Sequence, residues 1–302
     1  MLPDILIIGG GAAAMTAALY SLRAGRSVKL IEKQAFGGQI ADSPRVENFP
    51  SIKEISGMEW SSNLFEQITA LGAEFEMDEV KSIEKKGDNF VAHCEYGDYE
   101  GRAVIIASGV KHRHLGIPGE NLKGISYCAV CDGAFFTGKD TMVIGDANSA
   151  LQYALLLAKT SRHVDVVTLF DKFFADDILV NALKALPNVS IYHNYNSVRF
   201  NGTDKVESVS FEGRLDKNPM TIDINGVFVA IGQVPDNERF SNLVELDKGF
   251  IVTDENMATK TEGVFAAGDC RVKKIRQLTT ACNDGAIAAL NANTYLTTKS
   301  HS

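Results

Sequence analysis

The chain has 302 residues, of which 45% are hydrophobic and 23% charged, and its formal net charge is −8. This composition is typical of a globular protein of about two domains, and the negative charge argues against binding to nucleic acid, which needs a basic face. Residues 5–22 carry no charged side chain, but Asp4 precedes them and Gly9–Gly11 interrupts them. We therefore expect neither a signal peptide nor a membrane span, and we predict a cytoplasmic protein.

The N-terminal segment has the pattern of a dinucleotide-binding turn. The apolar run Ile5–Ile8 predicts a buried parallel strand and leads directly into Gly9–Ala14, which matches G-x-G-x-x-A. An apolar helix through Leu22 and a strand over Val28–Ile31 follow, and Glu32 closes that strand. Because an acid at this position can accept hydrogen bonds from a ribose diol, the whole order predicts a bound nucleotide.

A polar passage and a mixed region follow. The passage contains Gly37–Gln39 and Val46–Pro50 and is too long for a simple loop between a strand and a helix. Apolar residues at helical spacing predict an amphipathic helix over 57–71, and alternating residues predict a strand meander over 74–106. The basic connector Lys111–His114, followed by glycines and a proline, marks a domain boundary.

Two cysteines near the middle of the chain form a Cys-x-x-Cys pair. Cys128 and Cys131 can close a disulfide and reopen it by exchange, and Asp132 directly after them can transfer the proton that each step needs. The same spacing occurs in zinc sites, which His112 and His114 could complete, although the sequence has no second such pair. Five cysteines without a secretory signal fit a reducing compartment, which favours a redox-active pair. We expect no metal site.

A second turn of the nucleotide-binding type follows the cysteines, with changes. The strand Thr141–Ile144 leads into Gly145–Ala150, and a helix and the strand Val164–Val167 come next. The middle glycine of the motif is replaced by Ala147, whose Cβ occupies the space in which a backbone must approach a pyrophosphate. Asp146 adds a negative charge there, which disfavours a phosphate group.

The C-terminal part has a strand, a glycine turn and a helix, as the first segment does. Gly263–Asp269 predicts a short strand that ends on a Gly-Asp pair. Arg276 and Gln277 follow, and small residues predict a helix over 279–295.

These motifs together resemble the low-molecular-weight, bacterial-type thioredoxin reductases. The motifs, in chain order, are Gly9–Ala14, Gly37–Gln39, Val46–Pro50, Cys128–Asp132, Ala266–Asp269 and Arg276-Gln277. The resemblance implies an α/β fold of two Rossmann-like, three-layer ββα nucleotide-binding domains, the second inserted into the first. It places the FAD-binding domain at 1–113 and 241–302, and the domain with the redox pair at 114–240. It further implies a homodimer that carries FAD and reduces thioredoxin.

The same resemblance assigns roles to individual residues. Cys131 would face the flavin, Cys128 would attack the disulfide of the partner protein, and Asp132 would be the acid and base that serves them. The residues that would bind FAD lie in both parts of the first domain. They are Gly9, Gly11 and Ala14 at the pyrophosphate, Glu32 at the adenosine ribose, Gln39 and Asn48 near the flavin and its ribityl chain, Gly268 and Asp269 at the ribityl or pyrophosphate region, and Arg276 and Gln277 beside the ring.

The chain departs from this family where NADPH would bind. The basic cluster that holds the 2′-phosphate in the family falls here on Thr168, Leu169, Phe170 and Phe174. Charge-assisted phosphate contacts are among the strongest hydrogen bonds, so their loss should abolish a preference for NADPH. A shift of register by one to three residues would instead place Asp171 at the ribose, as an NADH site requires.

Because it lacks these residues for binding NADPH, the chain resembles the ferredoxin-dependent flavin thioredoxin reductases of anaerobic bacteria. FAD suits such a donor, since it can take electrons one at a time and deliver them in pairs. We therefore predict ferredoxin as the electron donor, and NADH or NADPH at an atypical site as the alternative. The cations that could dock an acidic ferredoxin are Lys111, His112, Arg113, His114, Arg271, Lys273, Lys274 and Arg276.

Overall fold

The computed structural model describes residues 2–43 and 46–299. Its strands are β1 (Ile5–Ile8), β2 (Val28–Glu32), β3 (Glu74–Met77), β4 (Val80–Lys86), β5 (Asn89–Cys94), β6 (Asp98–Gly101), β7 (Ala103–Ile106), β8 (Lys111–His112), β9 (Ile125–Ser126), β10 (Asp140–Ile144), β11 (His163–Val167), β12 (Val189–Tyr192), β13 (Tyr195–Asn201), β14 (Ser208–Gly213), β15 (Pro219–Asp223), β16 (Gly226–Val229), β17 (Gln233–Val234), β18 (Leu246–Asp247), β19 (Phe250–Ile251) and β20 (Val264–Ala266). Its α-helices are α1 (Ala12–Arg23), α2 (Gly57–Ala70), α3 (Ala129–Asp132), α4 (Asn148–Leu157), α5 (Asp177–Lys184) and α6 (Leu278–Lys299). Short 3₁₀ turns cover Gly38–Asp42, Gly133–Phe136, Glu238–Phe240 and Gly268–Cys270.

The chain divides into two compact units. Unit 1 consists of Met1–Lys111 and Val234–Ser302, and unit 2 is the continuous stretch His112–Gln233. Unit 2 ends at Gln233, within the turn 232–236 that the sequence indicates as a second boundary, and before the limit at residue 240 that the resemblance implied. The intervening segment belongs to unit 1, because Phe240 is buried in that unit's core and Asn237 donates to the carbonyls of Gly249 and Cys270.

Unit 1 is built around a five-stranded parallel sheet of order β20-β7-β1-β2-β3. Alternate side chains of β1 enter two cores, because successive residues of a strand point to opposite faces. Ile5 and Ile7 pack with α1 and α6, whereas Leu6 and Ile8 pack with β4 and β5 of a separate antiparallel sheet, β4-β5-β6. The unit therefore has a layer of helices, a parallel sheet and an antiparallel sheet.

The meander expected over 74–106 is only partly correct. β3 and β7 join the parallel sheet, and only β4, β5 and β6 pair in antiparallel fashion. The four residues of β7 are all buried apolar side chains, which is the pattern of a strand covered on both faces.

Unit 2 repeats this architecture on a smaller scale. Its parallel sheet has the order β12-β11-β10-β16-β9, and β13-β14-β15 form an antiparallel sheet. Val143 packs with α4, whereas Met142 and Ile144 pack with β13 and β14. The prediction of an α/β fold with two Rossmann-like units is confirmed. No helix in residues 2–43 and 46–299 is both long enough and apolar enough to cross a membrane.

Candidate redox and nucleotide sites

The first nucleotide-type turn joins β1 to α1. Gly9 has φ +116°, its N–H donates to the Ile31 carbonyl over 2.8 Å, and a Cβ at Gly9 would lie 2.4 Å from the carbonyl oxygen of Ala107. Gly11 is the residue before the helix, and a Cβ there would meet no described atom closer than Gly38 Cα at 3.9 Å. The space beside Gly11 is thus open to an anionic group that binds the free N–H groups of the helix terminus.

A glycine loop lies against this turn. The N–H of Gly37 donates to the Gly10 carbonyl over 2.8 Å, and Gly11 pairs with Gly37 in an isolated parallel bridge. Gln39 follows in the 3₁₀ turn, where its side-chain amide donates to the carbonyl of Val110. Where the turn and the loop meet, Gly11, Gly37 and Gly38 leave a cradle without a Cβ.

Three further sequence-predicted residues, Ala14, Glu32 and Asn48, belong to unit 1. Ala14 is buried on α1, and Glu32 ends β2, where its Oε1 accepts the N–H of Gln34 over 2.9 Å. Asn48 is exposed, and its side-chain amide donates to Oε1 of Gln277 over 3.3 Å.

Asp269 has a buried carboxyl group that lacks one of its hydrogen-bond partners. Its Oδ1 is buried and has no hydrogen-bond partner within residues 2–43 and 46–299. Burial raises the pKa of this carboxyl, and the charges of Lys273 and Arg276 oppose that rise. An unsatisfied buried polar group costs about 1–3 kcal/mol. Asp269 therefore has the environment of a group that accepts a hydrogen bond from a bound ligand, and the hydroxyl-rich ribityl chain of FAD offers such donors.

Asp284, which sequence analysis did not identify, holds the turn that carries Asp269. Its side chain is almost fully buried and accepts the N–H of Gly268 at 3.2 Å, Nε of Arg271 at 2.9 Å and Nζ of Lys273 at 2.7 Å. The signal in the sequence was a single acid within a helix of small residues. Such an acid needs buried cations as partners, and those come from a different element.

These contacts correct the list of cations for ferredoxin docking. The side chains of Arg271 and Lys273 are only 16% and 7% exposed because both pair with Asp284. The guanidinium of Arg276 lies 4.4 Å from the ring centre of Phe250, and its Nε donates to the carbonyl of Asp269 at 3.3 Å. These three cations therefore stabilise the interior of unit 1. The cations that remain exposed are Lys111, Arg113, His114 and Lys274.

The redox pair lies in unit 2, at the start of a single helical turn. Cys128 and Cys131 form a disulfide with their Cα atoms 5.3 Å apart. Cys128 precedes α3, and its Sγ accepts the N–H of Cys131 over 3.2 Å. Cys131 is exposed, and Cys128 is half-buried. A hydrogen bond to Sγ would stabilise a thiolate at Cys128 once the disulfide is open.

Asp132 ends the same turn, with its carboxyl largely buried. Its Oδ2 accepts a hydrogen bond from the Ser126 hydroxyl over 2.7 Å, and its Oδ1 is buried without a partner in the described part of the chain. Burial raises the pKa of Asp132, and the Ser126 hydrogen bond partly offsets that rise. A carboxyl in this state can hold a proton closer to neutral pH than an exposed aspartate does.

The four side chains of the zinc alternative have other partners in this structure. The two cysteines are joined to each other, the His112 ring stacks on Tyr127 at 5.2 Å, and His114 Nδ1 lies 2.8 Å from the Tyr127 hydroxyl. No cluster of three or more His, Cys, Asp or Glu side chains that could hold a metal ion occurs in the described ranges.

The second turn has the same backbone frame as the first. The N–H of Gly145 donates to the Val167 carbonyl over 3.1 Å, as Gly9 does to Ile31. Thr168 therefore occupies the position that Glu32 has in unit 1, and the alternative register that would put Asp171 there is wrong. Thr168 is fully buried, and its Oγ1 donates to the Phe170 carbonyl over 2.7 Å.

A loop of aromatic residues lies against this second turn. The N–H of Phe174 donates to the Asp146 carbonyl over 2.7 Å, and Ala147 pairs with Phe174 in an isolated bridge. The rings of Phe170 and Phe174 are 5.3 Å apart, and the guanidinium of Arg214 lies 4.8 Å from the ring centre of Phe170. Burial raises the pKa of Asp146. The residues to which the resemblance assigns the 2′-phosphate contacts thus include two aromatic rings, and each ring has a cation beside it, Arg214 at Phe170 and Lys172, whose Nζ lies 5.4 Å from the ring centre of Phe174.

Comparison with known proteins gives the family context. A family model described as pyridine nucleotide-disulphide oxidoreductase matches residues 3–285. The chain is 38% identical over 302 residues to a thioredoxin reductase of Bacillus subtilis (strain 168), with 97% of this chain and 94% of the relative covered. It is 39% identical over 300 residues to a 34.2 kDa protein in the rubredoxin operon of Clostridium pasteurianum, with 97% of both covered. The crystal structure of thioredoxin reductase from Streptococcus pyogenes MGAS5005 matches with a TM-score of 0.94 and 38% identity, over 98% of this chain and 99% of that one.

Proposed function

Because the chain belongs to the pyridine nucleotide-disulphide oxidoreductase family, with FAD as its cofactor, we propose that it reduces the disulfide of thioredoxin with electrons from reduced ferredoxin. The observation that carries the choice of donor is the second turn, where the frame of a nucleotide site persists without the side chains that hold a pyridine nucleotide. The protein would act as a homodimer, which light scattering of the purified protein tests.

FAD, when bound, supplies a carrier that accepts electrons from the donor and delivers a pair of them to the disulfide. The first turn and its glycine loop would hold the pyrophosphate, with Glu32 at the ribose. Asp269 would accept a hydrogen bond from the cofactor at its unpartnered Oδ1. Gln39, Asn48 and Gln277 would lie nearer the flavin.

The residues of the redox pair would then carry out thiol–disulfide exchange. The thiolate of Cys128 attacks one sulfur of the thioredoxin disulfide, the S–S bond breaks, and the displaced thioredoxin sulfur takes a proton. Cys131 next attacks Cys128, which restores the internal disulfide and releases thioredoxin as a dithiol. Two electrons leave the pair in this cycle, and Asp132 acts as the group that gives and takes protons.

Three features of unit 2 support a donor other than a pyridine nucleotide. Ala147 puts a Cβ at the turn, Thr168 is buried and bonded to the backbone, and the apolar side chains of Leu169, Phe170 and Phe174 occupy the positions of the missing arginines. Thr168 offers no carboxylate to a ribose diol, and the aromatic rings offer no charge to a 2′-phosphate. Ferredoxin needs no such contacts, since a protein donor docks on the surface. Lys111, Arg113 and Lys274 are exposed cations that an acidic partner could contact.

A pyridine nucleotide as donor is the second candidate, and specific observations favour it. The family model bears that cofactor class in its description, Arg214 brings a guanidinium next to Phe170, and Nζ of Lys172 lies 5.4 Å from the ring centre of Phe174. In this candidate, Arg214 replaces the lost basic cluster.

The test is an anaerobic reduction of the FAD-loaded protein. NADPH, NADH and reduced ferredoxin are added separately, and the flavin absorption is followed with and without oxidised thioredoxin. We expect only ferredoxin to bleach the flavin, and thioredoxin to restore the colour. Rapid bleaching by NADPH or NADH would contradict the ferredoxin proposal, and an Arg214→Ala variant that loses this bleaching would establish the second candidate.

A further inference from the structure

Ser126 lies at the end of β9, two residues before the first cysteine of the redox pair. Its side chain is buried, and its hydroxyl is hydrogen-bonded on both sides. It donates to Oδ2 of Asp132 over 2.7 Å and accepts the backbone N–H of Cys128 over 3.0 Å. One hydroxyl thus connects the carboxyl to the backbone of a redox cysteine.

The direction of these hydrogen bonds is fixed by the donors available. A backbone N–H can only donate, so the Ser126 oxygen accepts from Cys128 and its single proton is free for another acceptor. Two acceptors are within reach, Oδ2 of Asp132 at 2.7 Å and the Cys128 carbonyl at 3.4 Å. The carboxyl oxygen is the closer one, and hydrogen bonds to a carboxylate are the stronger kind.

The two oxygens of Asp132 are therefore in different situations. Oδ2 is held by Ser126, whereas Oδ1 is buried and has no hydrogen-bond partner in the described ranges. The hydrogen bond restricts rotation of the carboxyl, so that Oδ1 keeps one direction. A fixed oxygen without a protein partner is the form that a proton-transfer group needs.

Few other titratable groups face Asp132. On α4, which packs against α3, the titratable side chain is Tyr153, and the 3₁₀ turn Gly133–Phe136 has none. The remaining titratable groups beside it in the chain are Tyr127 of the β9 connection and the two cysteines once they are reduced. Burial and the Ser126 hydrogen bond thus control the protonation of Asp132 in this structure.

We propose that Ser126 is a positioning residue for disulfide exchange, which binds Oδ2 of Asp132 and thereby presents Oδ1 as the atom that exchanges the proton with the reacting sulfur. When an external thiolate opens the Cys128–Cys131 bond, it forms a mixed disulfide with one sulfur. The other sulfur leaves with the bonding electron pair, and Oδ1 donates the proton that turns it into a thiol. The reverse exchange returns that proton to Oδ1. The inference rests on the proposed redox role of the pair and does not depend on the electron donor.

The test uses the full-length, FAD-loaded protein reduced with dithionite, so that the natural donor is not involved. Oxidation of the reduced protein by thioredoxin and by 5,5′-dithiobis(2-nitrobenzoate) is measured from pH 5 to 9 for the wild type, Ser126→Ala and Ser126→Thr. Ser149→Ala, at an exposed serine of the same unit, is the control. We expect Ser126→Ala to slow the exchange roughly tenfold or more, because a misplaced acid–base group loses part of its usual 10²–10⁴-fold effect, and Ser126→Thr to retain most of the rate.

A second measurement separates positioning from a loss of folding. The carboxyl band of Asp132, identified in infrared difference spectra by its absence in Asp132→Asn, gives the pKa of this group directly. Because the Ser126 hydrogen bond lowers the pKa of Asp132, Ser126→Ala should move this titration to higher pH, and Ser126→Thr should not. An unchanged titration or an unchanged exchange rate in Ser126→Ala overturns the proposal for Ser126. If the wild type itself does not reduce either disulfide, the proposed function fails instead.

Discussion

The two nucleotide-type turns share one backbone and differ in the side chains placed on it. In both, the glycine after the first strand donates to the carbonyl that ends the second strand, Gly9 to Ile31 and Gly145 to Val167. In both, a Cβ on that glycine would lie 2.4 Å from the carbonyl oxygen of the residue that follows a neighbouring strand, Ala107 after β7 or Ala230 after β16. This glycine is therefore needed to build the unit, whether or not a nucleotide binds there.

In contrast, the residues at the positions predicted to contact a ligand differ between the two turns. Ala147 replaces Gly11 at the turn, Thr168 replaces Glu32 after the second strand, and Phe174 replaces Gly37 in the loop that pairs with the turn. The structural requirements of the fold and the chemical requirements of the ligand thus fall on different residues. Unit 2 keeps the first set of residues and differs from unit 1 in the second.

The largest expected effect comes from making the first turn like the second. Gly11→Ala places a Cβ where no described atom lies within 3.9 Å, so the protein should fold normally. The same Cβ projects into the space in which a pyrophosphate approaches the backbone. We expect FAD affinity to fall roughly ten- to hundredfold, or about 1.4–2.8 kcal/mol, as measured by titration of the apoprotein with FAD.

The control for this variant is Gly145→Ala. It introduces the same 2.4 Å contact that Gly9→Ala would, and should destabilise unit 2 in urea unfolding without weakening FAD in the protein that remains folded. Equal loss of FAD affinity in Gly11→Ala and Gly145→Ala would contradict the prediction that FAD binds at the first turn and not at the second.

A smaller effect is expected from the reverse change. Ala147→Gly combined with Leu169→Arg and Phe170→Arg restores the open turn and two cations. We expect the anaerobic rate of flavin bleaching by NADPH to rise about tenfold above the wild type, since a phosphate contact contributes about 1.5–3 kcal/mol at best and partial geometry gives less. Leu169→Lys with Phe170→Lys, without the change at Ala147, is the matched control for charge alone. No gain in the triple variant would mean that side chains at these positions are not what separates the two turns.

The smallest expected effect concerns Asp269 of unit 1, to which no described residue near the second turn corresponds. Burial raises the pKa of this carboxyl above its usual value of 3.8 in the folded apoprotein. A folded-state pKa above the unfolded one means that stability falls as pH rises through this range, because the folded state then binds more protons than the unfolded state. Asp269→Asn should therefore stabilise the apoprotein by up to about 1 kcal/mol at pH 7, with the difference vanishing near pH 3.

Urea unfolding of the apoprotein at the two pH values measures this effect. In the FAD-loaded protein the sign should reverse, because the asparagine is a weaker acceptor for a hydrogen bond from the cofactor. A variant that is less stable than the wild type in the apo form at pH 7 would contradict the view that Oδ1 of Asp269 lacks a partner.

The sequence predicted the elements whose signals are local. β1 is fully apolar and β10 ends on three apolar residues, and each leads into a glycine turn and a helix, so strand, turn and helix followed from adjacent residues. The register of the second turn also followed from a count without gaps, and the hydrogen bond from Gly145 to Val167 agrees with it.

What the sequence could not predict depends on partners that are distant in the chain. Asp284 binds Arg271 and Lys273, which sequence analysis had placed on a docking surface. An ion pair and an exposed charge have the same sequence pattern, and only packing distinguishes them. The hydrogen bond between Ser126 and Asp132 likewise depends on the turn of chain around the disulfide, because a serine before a cysteine has no distinctive spacing.

The packing of α1 against α6 has a consequence for synthesis of the protein. Small residues line both helices, and a Cβ at Gly285 would lie only 2.3 Å from the carbonyl oxygen of Ala13, so the two helices touch through their backbones. Unit 2 lies between them in the chain. Because domains generally fold as units during synthesis, we expect unit 2 to be able to fold before α6 has been translated, while α1 still lacks its partner helix. Unit 1, whose synthesis begins first, would thus finish folding after unit 2. The cofactor cradle at the start of α1 would be fully supported only after α6 has been translated.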